Sequence, residues 1–384
     1  MSARVNALLF LLGLILSLTS LSLLGASLVP PDLVQNFTRF HPWNGIESNF
    51  YPTAPDIRAI LDAALAGEPA GTEPVIVLVG GTSVFEGTSQ APPQVWTQQL
   101  QQILGDRFRV LNLAQRAGRP NDFGNLAAEM LLKDHRRFIY LCDAMPAEFT
   151  IPIEKSYYLK TVFDAWLRGY LLDWPARDAK MRSAFWDGSA QFRETAWGAL
   201  ADRYLNFNSL WTYVSFEIAG TIWNKVEATA SMRPLREFPD AEPPPEWWDQ
   251  RGYPTGDIDT LSMSQVRKQI FPPQQKYWDR VRAGIEEQMP VQLREKSLVV
   301  VELNSPYYLD RLSPEEQAGF MRQADQMAHL LTDAGLYRAL VVAGDFTDRD
   351  YTDRVHLSVR GGAKLAGRIA PEIVEMAEHL GYLQ

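Results

Sequence analysis

The stretch Pro74-Val75-Ile76-Val77-Leu78-Val79-Gly80-Gly81-Thr82-Ser83 decides the reading of this chain: a β-branched run ending in two glycines predicts a buried strand that turns sharply at its C-terminal end. Open α/β sheets carry their chemistry at that end. With a helix beginning near Val84, the Ser83 hydroxyl sits where backbone N–H groups and the positive end of the dipole favour an alkoxide and the oxyanion formed after attack.

Far downstream, Asp353-Arg354-Val355-His356 sets a carboxylate three residues before an imidazole. One turn of chain lets Asp353 accept from His356 Nδ1–H and leaves Nε2 to take the Ser83 proton. Each segment alone is more often structural, since Gly-Gly-Thr-Ser is an ordinary strand-to-helix turn and an Asp beside a His is often a solvated loop. Their order gives them weight together: a strand and Ser83 at the start of the domain, Asp-x-x-His and a helix at its end.

The surrounding pattern supplies the scaffold. Strands at 75–79, 108–113 and 138–142 alternate with helical patterns at 93–104 and 121–135, an order that predicts a parallel sheet. It resumes with a strand at 297–303, a helix at 313–334, a strand at 338–342 and a last helix at 359–380. Ser313-Pro314-Glu315-Glu316 is a helix start, with a capping serine, a first-turn proline and two acids at the positive end of the dipole.

This arrangement resembles the SGNH (GDSL) hydrolase superfamily, whose first block is Gly-Asp-Ser with a glycine four residues after the serine and whose last block is Asp-x-x-His. Ser83 and Gly87 match the first, with Thr82 in place of the aspartate, and Asp353 and His356 match the last. Asn112-Leu113-Ala114-Gln115-Arg116-Ala117-Gly118 is similar to the second block, with one residue more between the Asn and the Gly. The third block, Gly-x-Asn-Asp, is replaced by Cys142-Asp143-Ala144-Met145-Pro146, without the asparagine. The resemblance implies a three-layer α/β/α flavodoxin-like fold around a central parallel sheet. It also implies Ser83 as nucleophile, His356 as general base then acid, Asp353 as its orienting acid, and the N–H groups of Ser83 and Gly118 as the oxyanion hole, with no cofactor. The layout, an N-terminal anchor, an early serine, a long middle section and a late Asp-x-x-His, resembles the membrane-anchored DltD branch, which works on envelope polymers.

Between residues 5 and 29 no charged residue occurs, and as a helix that stretch spans ~37 Å against a ~30 Å hydrocarbon core. It is longer than a usual signal h-region, and Leu24-Gly25-Ala26 is a poor cleavage site, so an uncleaved single-pass anchor is expected, stopped by Pro30-Pro31. Arg4 favours a cytoplasmic N-terminus and an outward-facing body, in the periplasm or at the cell surface. The net charge of −9 argues against nucleic acid or an anionic membrane surface as the main partner.

The expected divisions are an anchor at 1–30, a juxtamembrane linker at 31–72 with a short helix at 56–66, a catalytic domain in two parts at 73–150 and 296–384, and an insertion at 151–295. Every tryptophan except Trp43 and Trp96 falls in that insertion. Its first part, to about residue 232, has helical patterning, and 233–257 is a Pro-rich loop. The aromatics either fill the insertion's own core or form a platform for sugar rings or the membrane, and Trp247-Trp248 is the pair expected to be exposed for substrate binding.

Asp345, Asp348 and Asp350 lack the glycine and terminal glutamate of a calcium loop and are expected to be solvated. No histidine pairs with Cys or Glu at zinc-ligand spacing, so no metal is expected. Cys142, the only cysteine, is expected to be a buried strand residue. The leading expectation is therefore an anchored enzyme that transfers or hydrolyses an acyl group, acetyl or similar, on a cell-envelope polysaccharide, beside a membrane-bound O-acyltransferase. The alternatives are a carboxylesterase, lipase or thioesterase, and a non-catalytic assembly factor on the same scaffold.

Overall fold

The computed structural model describes residues 3–28, 52–66, 73–87, 95–115, 118–120, 122–156, 158–205, 264, 266–267, 275–301, 304–342, 345–351 and 354–383. Asp353, Trp247, Trp248 and the Pro-rich 233–257 segment lie outside the described residues. In chain order the main elements are α1 (Ala3–Leu28), α2 (Ala54–Leu65), β1 (Val75–Gly80), α3 (Ser83–Glu86), α4 (Trp96–Leu104), β2 (Phe108–Asn112), α5 (Phe123–Lys133) and β3 (Phe138–Ala144). There follow α6 (Leu159–Leu167), α7 (Pro175–Ala184), α8 (Ala190–Leu205), α9 (Gln275–Gln288), β4 (Ser297–Val301), α10 (Pro314–Asp333), β5 (Arg338–Val341) and α11 (Val359–His379).

The chain forms two compact units. One holds residues 67–157 and 233–384 together with 38–47, and its centre is a five-stranded parallel sheet in the order β2-β1-β3-β4-β5. Strands β1, β3 and β4 are buried at every position, which is why they read as continuous apolar runs rather than alternating ones. Val75, Val77 and Val79 share one core with Ile139, Leu141, Leu298 and Val300, with Trp96 and Leu100 of α4 and with Leu365, Ile369 and Ile373 of α11. On the opposite face, Gly80 and Gly124 bring β1 and α5 so close that a Cβ on Gly124 would meet the Gly80 backbone. Helices thus cover both faces, and the sheet order reverses between β1 and β3, opening a crevice at their C-terminal ends.

The other unit comprises residues 1–37, 48–66 and 158–232. Within it α6 and α8 pack around Phe163, whose ring lies 5.2 Å from Phe192 and 6.1 Å from Phe185. Trp166 closes this cluster and donates from Nε1 to Asp178 at 2.9 Å. These aromatics are the unit's own core, whereas Trp186 and Trp197 stack edge-on at the surface. Helix α2 is closed by a capping box between Thr53 and Asp56.

The boundary expected at residue 295 differs from the one observed. Helix α9 belongs to the sheet unit, because Trp278, Val281 and Ile285 are buried there and Gly284 lies against the Phe149 carbonyl. Gln288 Nε2 donates to the carbonyls of Phe149 at 3.1 Å and Ile151 at 3.2 Å, fixing the register. Helix α1 is long and apolar enough to cross a membrane, with a mean hydropathy of 1.8 over Arg4–Leu21 and none of that window buried.

Candidate active site

The site forms where β1 ends. Gly81 takes φ +101°, a conformation that L side chains resist, and a Cβ there would overlap Asp143 Oδ1. The next residue, Thr82, caps the one-turn helix α3 by accepting from Val84 N–H at 3.1 Å. Asn112, at the end of β2, fixes the far side of this turn: its Nδ2 donates to Phe85 O at 3.1 Å and Glu86 O at 3.3 Å. Trp96 Nε1 donates to the same Phe85 carbonyl at 2.8 Å, and Phe85 itself is fully buried. Ser83 is thereby presented on a turn clamped by three elements.

The other half comes from the loop before α11. Tyr351 and Leu357 form an antiparallel bridge around it, Ser305 N–H donates to Arg354 O at 2.8 Å, and Ser358 caps α11 by accepting from Gly361 N–H at 3.2 Å. His356 sits inside these ties with Nε2 2.8 Å from Ser83 Oγ. With Nε2 unprotonated, the hydroxyl donates to it, the geometry a general base requires.

Asp143, at the end of β3, is a site residue that the sequence reasoning did not single out. Its Oδ1 accepts from Thr82 N–H at 2.7 Å and its Oδ2 from Thr82 Oγ–H, so one carboxylate clasps the residue before the serine. Burial pushes Asp143 from 3.8 up to about 6, against the opposing pull of the Thr82 hydrogen bonds and the charge of His356. The signal in the sequence was a carboxylate closing the strand beside β1, at the position where the sheet order reverses.

Gly118 does line the site, but its N–H donates to Gln115 O at 2.8 Å. The donor that the resemblance assigns to the oxyanion is engaged in a turn in this conformation. A Cβ on Gly118 would overlap Gly81 O, so the glycine is required for this close approach.

Asp350 departs from expectation. Rather than solvated, it is fully buried, caps the turn through Thr347 N–H at 2.7 Å and pairs with Lys364 at 2.7 Å and Arg360 at 3.0 Å. These ties join the histidine loop to α11. Cys142 is fully buried, and burial together with the neighbouring Asp143 charge holds its thiol well above the ordinary range, so it is no competing nucleophile.

Ser83, His356, Asp143 and Gly118 border one cavity of about 350 Å³, with Arg119, Lys155 and Arg354 also on its wall. Among the described residues no group of three or more His, Cys, Asp or Glu could hold a metal ion. Compared with known proteins, the chain matches no family model, no curated protein and no solved structure.

Proposed function

We propose that this protein is a serine-dependent acyl-handling enzyme of the SGNH type, in which Ser83 carries the acyl group and His356 moves the proton. The observation that carries the reading is the 2.8 Å Ser83 Oγ to His356 Nε2 hydrogen bond at the β1/β3 reversal point of a parallel sheet. The acylation step is attack of Oγ on an ester carbonyl as its proton passes to Nε2, followed by return of that proton to the departing alcohol. The Asp-x-x-His spacing assigns Asp353 the role of orienting acid, and the Ser83 backbone N–H, at the start of α3, is the assigned oxyanion donor.

A cavity of about 350 Å³ suits a short acyl group with one sugar ring better than a long chain. Together with an N-terminal helix able to cross a membrane, this favours acetyl-like transfer to, or removal from, an envelope polysaccharide on the outer side of the membrane. A membrane-bound O-acyltransferase is the partner that would supply the acyl group. The test is turnover of p-nitrophenyl acetate by the full chain in detergent, with and without a glycan acceptor. Release of nitrophenol that falls at least ~1,000-fold in Ser83→Ala supports the reading. Equal rates in the two proteins would remove it.

A further inference from the structure

Arg119 is an unusual residue for this cavity wall, because its side chain is 7% exposed and yet not fully satisfied. Nη1 donates to Ile151 O at 3.2 Å and Nε lies 3.6 Å from Asp122 Oδ2, while the buried Nη2 has no partner among the described residues. A buried guanidinium nitrogen without an acceptor is costly, and the natural acceptor is an anion that enters the cavity. Lys155 stands exposed on the same wall and forms no ion pair among the described residues, and Arg354 adds a third cation. The two acids on the wall are otherwise engaged: Asp143 accepts from Thr82, and Glu148 Oε2 accepts from Met145 N–H at 3.0 Å. In a chain of net charge −9, the wall nonetheless carries three cations against two acids beside Ser83.

We propose that the Arg119 wall is an anion subsite, so that the substrate of Ser83 is an ester on a glycan or polyol bearing a carboxylate or phosphate next to the acylated hydroxyl. The proposal rests on reading the Ser83 cavity as the substrate site. Arg119 takes the anion with the planar fork of its guanidinium, and Lys155 contributes charge from the lip. A neutral glycan leaves Arg119 Nη2 unpaired and is therefore discriminated against.

The test is equilibrium binding to the full chain in detergent micelles at low salt, with methyl glucuronide, glycerol phosphate and the neutral methyl glucoside as probes. At least one anionic probe should bind about tenfold or more tightly than the glucoside, and the preference should fall to near unity in Arg119→Gln. Whichever anion binds more tightly assigns the substrate's charged group. Should Arg119→Gln fail to fold, the exposed Lys155→Gln is expected to weaken anion binding by about threefold and to steepen nothing for the glucoside. Ser83→Ala should bind the anion as the wild type does, so binding reads this subsite separately from the serine chemistry. Equal affinity for charged and neutral probes, or a preference indifferent to both substitutions, overturns the proposal. Anion binding without any Ser83-dependent ester turnover would instead refute the serine reading alone.

Discussion

At the scale of single residues, the Ser83–His356 pair depends on a clasp two residues wide. Gly81 makes room for Asp143, and Asp143 holds both the N–H and the hydroxyl of Thr82. Gly81→Ala forces a side chain into φ +101° and against a carboxylate, and should destabilise the protein by about 2 kcal/mol or more, read by denaturant unfolding. The Asp143 carboxyl, raised from 3.8 to about 6, binds its proton more tightly folded than unfolded. Its contribution is therefore fully present below the unfolded value of 3.8 and is lost as pH rises through about 6. Asp143→Asn keeps an acceptor for Thr82 N–H and removes the titration. Wild-type stability relative to that variant should fall as pH rises between 3.8 and about 6. A pH-independent difference would mean that Asp143 ionises alike in both states. Ser83 and His356 were legible as candidates because a glycine-bounded turn and Asp-x-x-His leave local signals, whereas Gly118 entered only through the resemblance of 112–118 to a family block. Asp143 was not, because what makes it a site residue is its neighbour strand, and that depends on sheet order.

At the scale of elements, β1, β3, β4 and the two long helices α10 and α11 follow from local pattern. Full burial gives the strands unbroken apolar runs, and Ser313 with Glu316 closes the capping box that starts α10. The starts differ by two or three residues at Trp96 and Phe123, where no side-chain cap marks the first turn. Asp350 is buried rather than solvated because its partners Arg360 and Lys364 lie in the first two turns of α11, beyond any local loop pattern. Asp350→Ala leaves two cations without their buried carboxylate and should cost about 3 kcal/mol. Ser358→Ala removes the α11 cap and should cost about 1 kcal/mol. Because His356 is two residues upstream, both variants should also slow reaction at Ser83, measured on folded protein. An unchanged rate would show that the histidine loop does not take its position from α11.

At the scale of the whole molecule, the parallel sheet and the bringing together of residues 273 apart in sequence are linked facts. A sheet ordered β2-β1-β3-β4-β5 sets β1 between β2 and β3, and the turn after β1 meets the loop that carries His356 near the far end of the chain. The division of the middle section was less legible. Helices α6 to α8 and α9 carry similar aromatic patterning, yet only the first three belong with the N-terminal segments, because α9 finds its partner in the Phe149 turn. The length and all-round apolarity of α1 predict retention: the full chain should stay with membranes through alkaline carbonate washing, and a variant lacking residues 3–28 should not. Recovery of the full chain in the wash would refute membrane insertion.

Activation of Ser83 as a nucleophile is read most directly by intact-mass analysis of the full chain after exposure to a fluorophosphonate. A single adduct is expected on wild type, none on Ser83→Ala, and formation slowed by about 100-fold or more in His356→Ala. No adduct under conditions that label a control serine esterase, or an equal adduct on Ser83→Ala, would contradict that activation.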